Sequence, residues 1–271
     1  MTRLDKQQPT NSDLLADAVR ISRLTGKLLK DRLLTDFSVD RKGEVDLVTE
    51  MDRAAQDLIQ QEIQLRYPDH GILAEEDLDI QGSEGFQWIV DPLDGTTNYA
   101  HRFPVFSISI AVAYEKDVVC GVVYNPVSEE LFKAIRGEGA SLNAMPLRVS
   151  ETSRLDDSLL GTGFPYNIRE TAETNLDHFR EFALRTQGIR RCGSAALDLC
   201  FVASGRLDGF WELNLKPWDI AAGALIVREA GGVTTDFEGN ELAMDGSKVL
   251  ASNGNLHSRM MEVLAGGGSS A

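Results

Sequence analysis

Residues 89–97 read IVDPLDGTT, where an apolar run meets two aspartates three positions apart, with a proline between them and a glycine behind. Like-charged carboxylates held close raise each other's energy unless water, a base or a cation relieves them. Proline has no N–H to give a central ladder, so the run WIVD reads as a strand ending at Asp91. The turn beyond it then presents Asp91, the carbonyl of Leu93 and Asp94 on one side. Gly95, Thr96 and Thr97 follow at the opening of a short helix, where main-chain amides are free to bind an anion. Carboxylates beside such a nest make sense with hard divalent cations between the two. Oxygen ligands without a His or Cys cluster point to Mg²⁺ rather than zinc. The plainer reading is a turn of proline, aspartate and glycine with solvated acids.

Three further acidic stretches sit at the ends of elements. ILAEED closes another apolar run at Glu75 and Glu76 and offers Glu75 as an additional oxygen ligand. KPWDIAAG places Asp219 where an ordinary helix N-cap belongs. DLVTEMDRAA fits a capping box between Thr49 and Asp52. Asp52 could equally accept a hydrogen bond from Thr96 and so help deprotonate a water. Spacing does not decide between cap and chemistry.

Around these motifs the pattern alternates between helical and strand periods. From Ser12 to Leu34 apolar residues recur at helical spacing, and a second helix runs from after Thr49 to about Tyr67, stopped by Pro68 and Gly71. GILAEE, FQWIVD, SISIAVAY and DVVCGVVYNP read as strands. The segment from Glu151 to Ser158 is a seam between an N-terminal half, 1–150, and a C-terminal half, 151–271, of one compact unit. In the second half LLGTGFP reads as strand and loop, 171–187 and 194–204 as helices, and LDGFWEL as a strand. A helix from Asp219 ends at paired glycines, GGVTTDF and KVLASN are short strands, and GGGSSA is a flexible tail. The class is α+β, layered, with mostly antiparallel sheets.

The chain has 271 residues, enough for a sizeable core, and a net charge of -15. That charge opposes broad binding of nucleic acid but not of a small phosphorylated substrate, because bound cations invert the local sign. Three cysteines without a CxxC pair argue against a disulfide framework or structural zinc. The polar start MTRLDKQQPTNSDLL lacks the apolar run of a signal peptide, and no stretch is as long as a membrane span. A cytoplasmic protein is expected.

GEVDLVTEMD, ILAEED, WIVDPLDGTTNY, RRCGSAALDLCFVASGRLDGFWE and PWDIAAGALIVREAGG occur in the order typical of the inositol monophosphatase family. The likeness runs from about residue 12 to 258, and bacterial inositol-1-monophosphatases look most similar. It departs at AEE, where the family usually has GEE, and at Arg41, where many members carry lysine. The resemblance implies an αβαβα sandwich of the inositol monophosphatase/fructose-1,6-bisphosphatase type, a homodimer and inhibition by lithium. It implies two or more Mg²⁺ ions, one held by Glu75, Asp91 and the Leu93 carbonyl, another by Asp91, Asp94 and Asp219. Gly95, Thr96 and Thr97 would cradle the phosphate. Thr96 with Asp52, aided by Glu75, would orient and activate the attacking water. Gly193, Ser194, Ala195 and Glu212 would face the alcohol half of the substrate.

Two rival phosphatase signatures fail on their residues. CFVASGR, from Cys200 to Arg206, matches C-x₅-R formally, but bulky Phe201 and Val202 cannot wrap a phosphate, and a buried core thiol accounts for Cys200 better. The haloacid dehalogenase motif sets its acids two apart, not three. DGTTNY, against the DGTK of bisphosphate and histidinol-phosphate phosphatases of this fold, leans towards myo-inositol 1-phosphate or a related polyol phosphate. Fructose-1,6-bisphosphatase or broad sugar phosphatase activity is the alternative, should Arg190 or Arg191 prove more than surface residues. A non-catalytic partnership with the transcription machinery is the other. The four histidines are scattered and read as structural or solvated.

Overall fold

The computed structural model describes the backbone of residues 8–41 and 47–266 and the side chains of 8–40 and 48–266. The extreme N-terminus, the Arg41 side chain and the glycine-serine tail lie outside the described residues. In chain order the elements begin with α1 (Asn11–Arg32), β1 (Val39–Arg41), β2 (Leu47–Thr49) and α2 (Glu50–Arg66). Then come β3 (Gly71–Ala74), β4 (Leu78–Ile80), β5 (Phe86–Asp94), α3 (Thr96–Ala100), β6 (Ser107–Tyr114) and β7 (Asp117–Asn125). β8 (Glu130–Ile135), β9 (Gly139–Leu142), β10 (Met145–Pro146) and β11 (Leu159–Thr162) follow. The chain continues with α4 (Leu176–Ala183), β12 (Gly188–Arg190), α5 (Ala195–Ala203), β13 (Gly209–Leu213) and α6 (Pro217–Glu229). It closes with β14 (Val233–Thr235), β15 (Lys248–Ser252) and α7 (His257–Gly266).

Eight strands form one sheet in the order β10-β9-β8-β7-β6-β5-β3-β4, antiparallel except where β3 runs beside β5. Five form a second, β12-β11-β13-β15-β14, in which β11 is parallel to both its neighbours. Strand alternation sends neighbouring residues into different layers. Trp88 and Val90 of β5 pack under α1 and α2 with Leu14, Ile21, Ile59 and Ile63, whereas Ile89 faces α5 and α6. Phe210 of β13 joins that same inter-sheet layer, and its neighbour Trp211 packs with Phe182, Met260 and Leu264 beneath α4 and α7. The result is the five-layer αβαβα sandwich.

α6 is buried from Ile220 to Val227 because sheets lie on both sides of it. Its small residues permit that approach. A Cβ on Gly121 of β7 would lie 2.9 Å from Ala222 Cα, with backbone rather than a movable side chain in the way. Gly121→Val is therefore expected to cost roughly 1–3 kcal/mol of stability by overpacking, read as a lower urea midpoint at unchanged m-value.

The structure corrects four local expectations. β5 does not stop at Asp91 but continues to Asp94, with the ladder shifting between Asp91↔Ser109 and Asp94↔Ser107. Three residues on β5 thus span two on β6, a bulge that accommodates the missing N–H of Pro92. The helix expected over 171–187 shortens to α4, because Asn175 enters at φ +67° and is tied down. Its Nδ2 donates to Thr162 Oγ1 and the Gly163 carbonyl, and its Oδ1 accepts from Trp211 Nε1. Asp219 is the third residue of α6, not its cap; Lys216 caps and Pro217 opens the helix. Ala265 and Gly266, placed by sequence in the tail, belong to α7.

Candidate active site

The bulge in β5 sets the geometry. Residues three apart on a regular strand point to opposite faces, and one extra residue reverses that parity. Asp91 and Asp94 consequently line one cavity of about 180 Å³ together with Glu75, Leu93, Gly95, Thr96 and Asp219. Asp91 is 2% and Asp94 8% exposed. Leu93 N–H donates to Asp91 Oδ1 at 2.9 Å, closing the turn. Asp94 Oδ2 accepts from Ser194 Oγ, from Ala196 N–H at 3.0 Å and from Ser107 Oγ at 3.3 Å. These bonds tie the end of β5 to the start of α5.

Glycine makes that approach possible. Gly95 has φ +96°, and a Cβ there would stand 3.1 Å from the carbonyl oxygens of Gly193 and Val105. Asn98 Nδ2 pins the same junction by donating to Val105 O at 2.6 Å and Cys192 O at 2.8 Å. Asp219 is held from the other side, its Oδ2 accepting from Lys216 N–H at 2.7 Å.

The buried acids push one another up. Asp91 rises well above the usual carboxylate range, first through burial and then through Glu75, Asp94 and Asp219. Burial lifts Asp94 to about 6 against the lowering effect of its hydrogen-bond donors. Asp219 is raised by burial and then by Asp94. Four acids gathered in one cavity form a donor set suited to hard divalent cations. A trio whose carboxylate oxygens lie within 4.8 Å of one another is Asp52, Glu75 and Glu76, which adds Glu76, named from sequence only as a strand-end acid, to the candidate ligands.

Asp52 fills both roles considered for it. Its Oδ2 accepts from Thr49 N–H at 2.7 Å and Thr49 Oγ1 at 2.6 Å, capping α2. Its Oδ1 accepts from Thr96 Oγ1 at 2.8 Å, and Leu93 O lies 3.1 Å from the same hydroxyl. Thr97, by contrast, is exposed and lines neither this cavity nor its neighbour.

The neighbouring cavity, about 40 Å³, is lined by Gly193, Ser194, Ala195, Glu212, Asp94 and Asp219. Gly163 makes room for Glu212, since a Cβ there would fall 2.0 Å from Glu212 Oε1. Sequence reasoning missed Tyr166 and Asp198, which line it together with Arg191. Arg191 is exposed at its mouth, so it is more than the surface residue expected. Asp198 is buried, with one carboxyl oxygen lacking a partner among the described residues. Neither Tyr166 nor Asp198 belongs to a spacing that marks chemistry. Cys200 is fully buried, and burial holds it as a thiol. The histidines line neither cavity.

A layered sandwich whose bulged strand gathers acids at one cavity has the make-up of a metal-assisted hydrolase. The model of the inositol monophosphatase family matches residues 10–267, and the chain belongs to that family, whose members are phosphatases. An inositol-1-monophosphatase of Synechocystis is 45% identical over 254 residues, 93% of this chain and 86% of that relative. Nus factor SuhB of Escherichia coli is 44% identical over 243 residues, 89% of this chain and 91% of that relative. The solved inositol monophosphatase of Anabaena superposes with a TM-score of 0.86 at 39% identity, covering 95% of this chain and 97% of that one. The enzyme is a phosphatase of a metal-dependent family. Among the described residues no helix is long and apolar enough to cross a membrane.

Proposed function

We propose that the chain is a Mg²⁺-dependent phosphatase acting on myo-inositol 1-phosphate or a related polyol phosphate. The observation that carries this reading is the parity reversal at Pro92–Leu93, which turns Asp91 and Asp94 into one cavity with Glu75 and Asp219. Glu75, Asp91, the Leu93 carbonyl, Asp94 and Asp219 are the groups that would hold Mg²⁺. When bound, such ions neutralise phosphoryl charge and make a water more acidic. Gly95 and Thr96, opening α3, offer main-chain N–H groups to the phosphoryl oxygens. Thr96 Oγ1 has its single proton committed to Asp52 Oδ1, so its lone pairs remain to accept from, and orient, the attacking water. That water's oxygen bonds to phosphorus as the ester P–O bond breaks, its electron pair going to the alcohol oxygen. The two water protons end on the alcohol and the phosphate. Gly193, Ser194, Ala195 and Glu212 receive the alcohol half.

A panel of phosphate monoesters assayed with Mg²⁺, with Li⁺ and with a chelator tests this. The highest kcat/KM is expected for myo-inositol 1-phosphate, with loss of activity in chelator and inhibition by Li⁺. A much higher kcat/KM for fructose 1,6-bisphosphate would overturn the substrate, and Arg191 beside the alcohol cavity is the observation that favours that rival. A partnership with the transcription machinery draws its support from the relative named as a Nus factor. The same reading carries a cytoplasmic homodimer, for which sedimentation is the check.

Mg²⁺ affinity is expected to climb with pH. Because the folded protein holds the cavity acids above their ordinary range, protons compete with the cation at low pH. The Mg²⁺-induced rise in Tm should therefore grow as pH increases through about 6, the value for Asp94. A rise independent of pH between 5 and 8, on the order of one acid's titration range, would mean that the cation binds elsewhere.

A further inference from the structure

The two cavities meet at three shared residues, Asp94, Asp219 and Tyr166. A substrate with its phosphate in one cavity and its alcohol in the other places the bond between phosphorus and the alcohol oxygen at that junction. Two of the three residues there are acids, so Tyr166 is the one that brings a protonated hydroxyl. Other donors sit to either side: Lys216 lines only the acid-lined cavity and Arg191 only the alcohol cavity.

Tyr166 follows β11 in the loop Gly163-Phe164-Pro165, which enters the site beside Glu212. An exposed aromatic is ordinarily a solvated surface residue. This one keeps 58% exposure while lining both cavities. A tyrosine hydroxyl keeps its proton at neutral pH. No hydrogen bond joins that hydroxyl to another described residue.

We propose that Tyr166 is a catalytic residue that spans the scissile bond, its hydroxyl donating a hydrogen bond to the departing alcohol oxygen and its ring covering the polyol. This rests on the phosphatase reading above. The tyrosine keeps its own proton throughout. Its hydrogen bond strengthens as the ester bond breaks and the alcohol oxygen gains charge, which lowers the barrier rather than tightening ground-state binding.

The leaving group supplies the test. An inositol leaves as a strongly basic alkoxide, whereas p-nitrophenolate disperses its charge and needs little help. For Tyr166→Phe, the ratio of kcat on myo-inositol 1-phosphate to kcat on p-nitrophenyl phosphate is expected to fall about tenfold or more. Tyr166→Ala should in addition raise KM for the inositol ester. The Mg²⁺ midpoint of the thermal shift, a readout that does not involve turnover, should match wild type in Tyr166→Phe. An unchanged kcat ratio would overturn the proposal, and so would a displaced Mg²⁺ midpoint, because the tyrosine would then be orienting the cation ligands. A wild-type chain inert towards every polyol phosphate would sink the functional reading itself. An active wild type with an indifferent Tyr166→Phe would sink this inference alone.

Discussion

Asp94→Asn lowers Mg²⁺-dependent kcat by about three orders of magnitude, ~4 kcal/mol of transition-state stabilisation, and at the same time raises the Tm of the chelated protein. Both effects come from the same carboxyl. Three of its protein donors, Ser194 Oγ, Ala196 N–H and Ser107 Oγ, converge on Oδ2. An asparagine oxygen can take that position, so the contacts between β5 and α5 survive while the other oxygen becomes an amide. The charge needed by a cation is gone.

The stability change follows from linkage. Burial holds the folded-state pKa of Asp94 at about 6, above the unfolded 3.8. A group raised in this way contributes stability that is full below the unfolded value and is lost as pH rises through the folded one. At pH 7.5 the ionised acid therefore destabilises the chelated wild type, and asparagine, which cannot ionise, does not. Each kcal/mol relieved is worth roughly 2–4 °C in a chain of this size. The advantage of the variant should shrink as pH falls below 6. Saturating Mg²⁺ should reverse the order, since only wild type gains from the ion. Thermal scans with chelator and with Mg²⁺ at two pH values decide the matter. A chelated variant that melts below wild type at pH 7.5 would show that Asp94 serves packing more than cation binding.

Much of the architecture was legible because its helices and strands carry strong periodicity. α1 and α2 show one apolar face, and α6 is apolar all round because it lies between sheets. What escaped depends on distant partners. Pro92 reads as a strand end, since its missing N–H is visible in sequence and the compensating shift against Ser107 and Ser109 is not. Yet that shift is what puts Asp91 and Asp94 into one cavity. α4 starts late because Asn175 bonds to Thr162 and Trp211, one upstream and one downstream. The acids of the site were legible from their motifs and from the family resemblance. Tyr166 was not, for an exposed tyrosine in a loop carries no local signal. Its position becomes meaningful only when the two cavities are seen to share it.

Replacing Thr96 or Asp52 separates the cap from the chemistry. In Asp52→Asn the asparagine oxygen can still accept from Thr49 N–H and Thr49 Oγ1, so the start of α2 is retained. The amide nitrogen then faces Thr96 Oγ1 as a donor, which turns the threonine proton towards Leu93 O and occupies the lone pair left for water. A loss of about 10²–10³ in kcat is expected, the scale of a misdirected proton acceptor, with KM little altered. Thr96→Val removes the hydroxyl outright and should lose at least as much. It also removes the hydrogen bond that Asp52 Oδ1 accepts from Thr96, at a cost of roughly 1–3 kcal/mol in stability. Thr96→Ser restores the hydroxyl and should recover most of the activity. A helix cap alone predicts a different pattern for Asp52→Asn, with stability and turnover both intact, because the Thr49 bonds survive. Steady-state kinetics beside urea unfolding of the three variants distinguishes the two, because only a group that directs the Thr96 proton lowers kcat while leaving the midpoint in place.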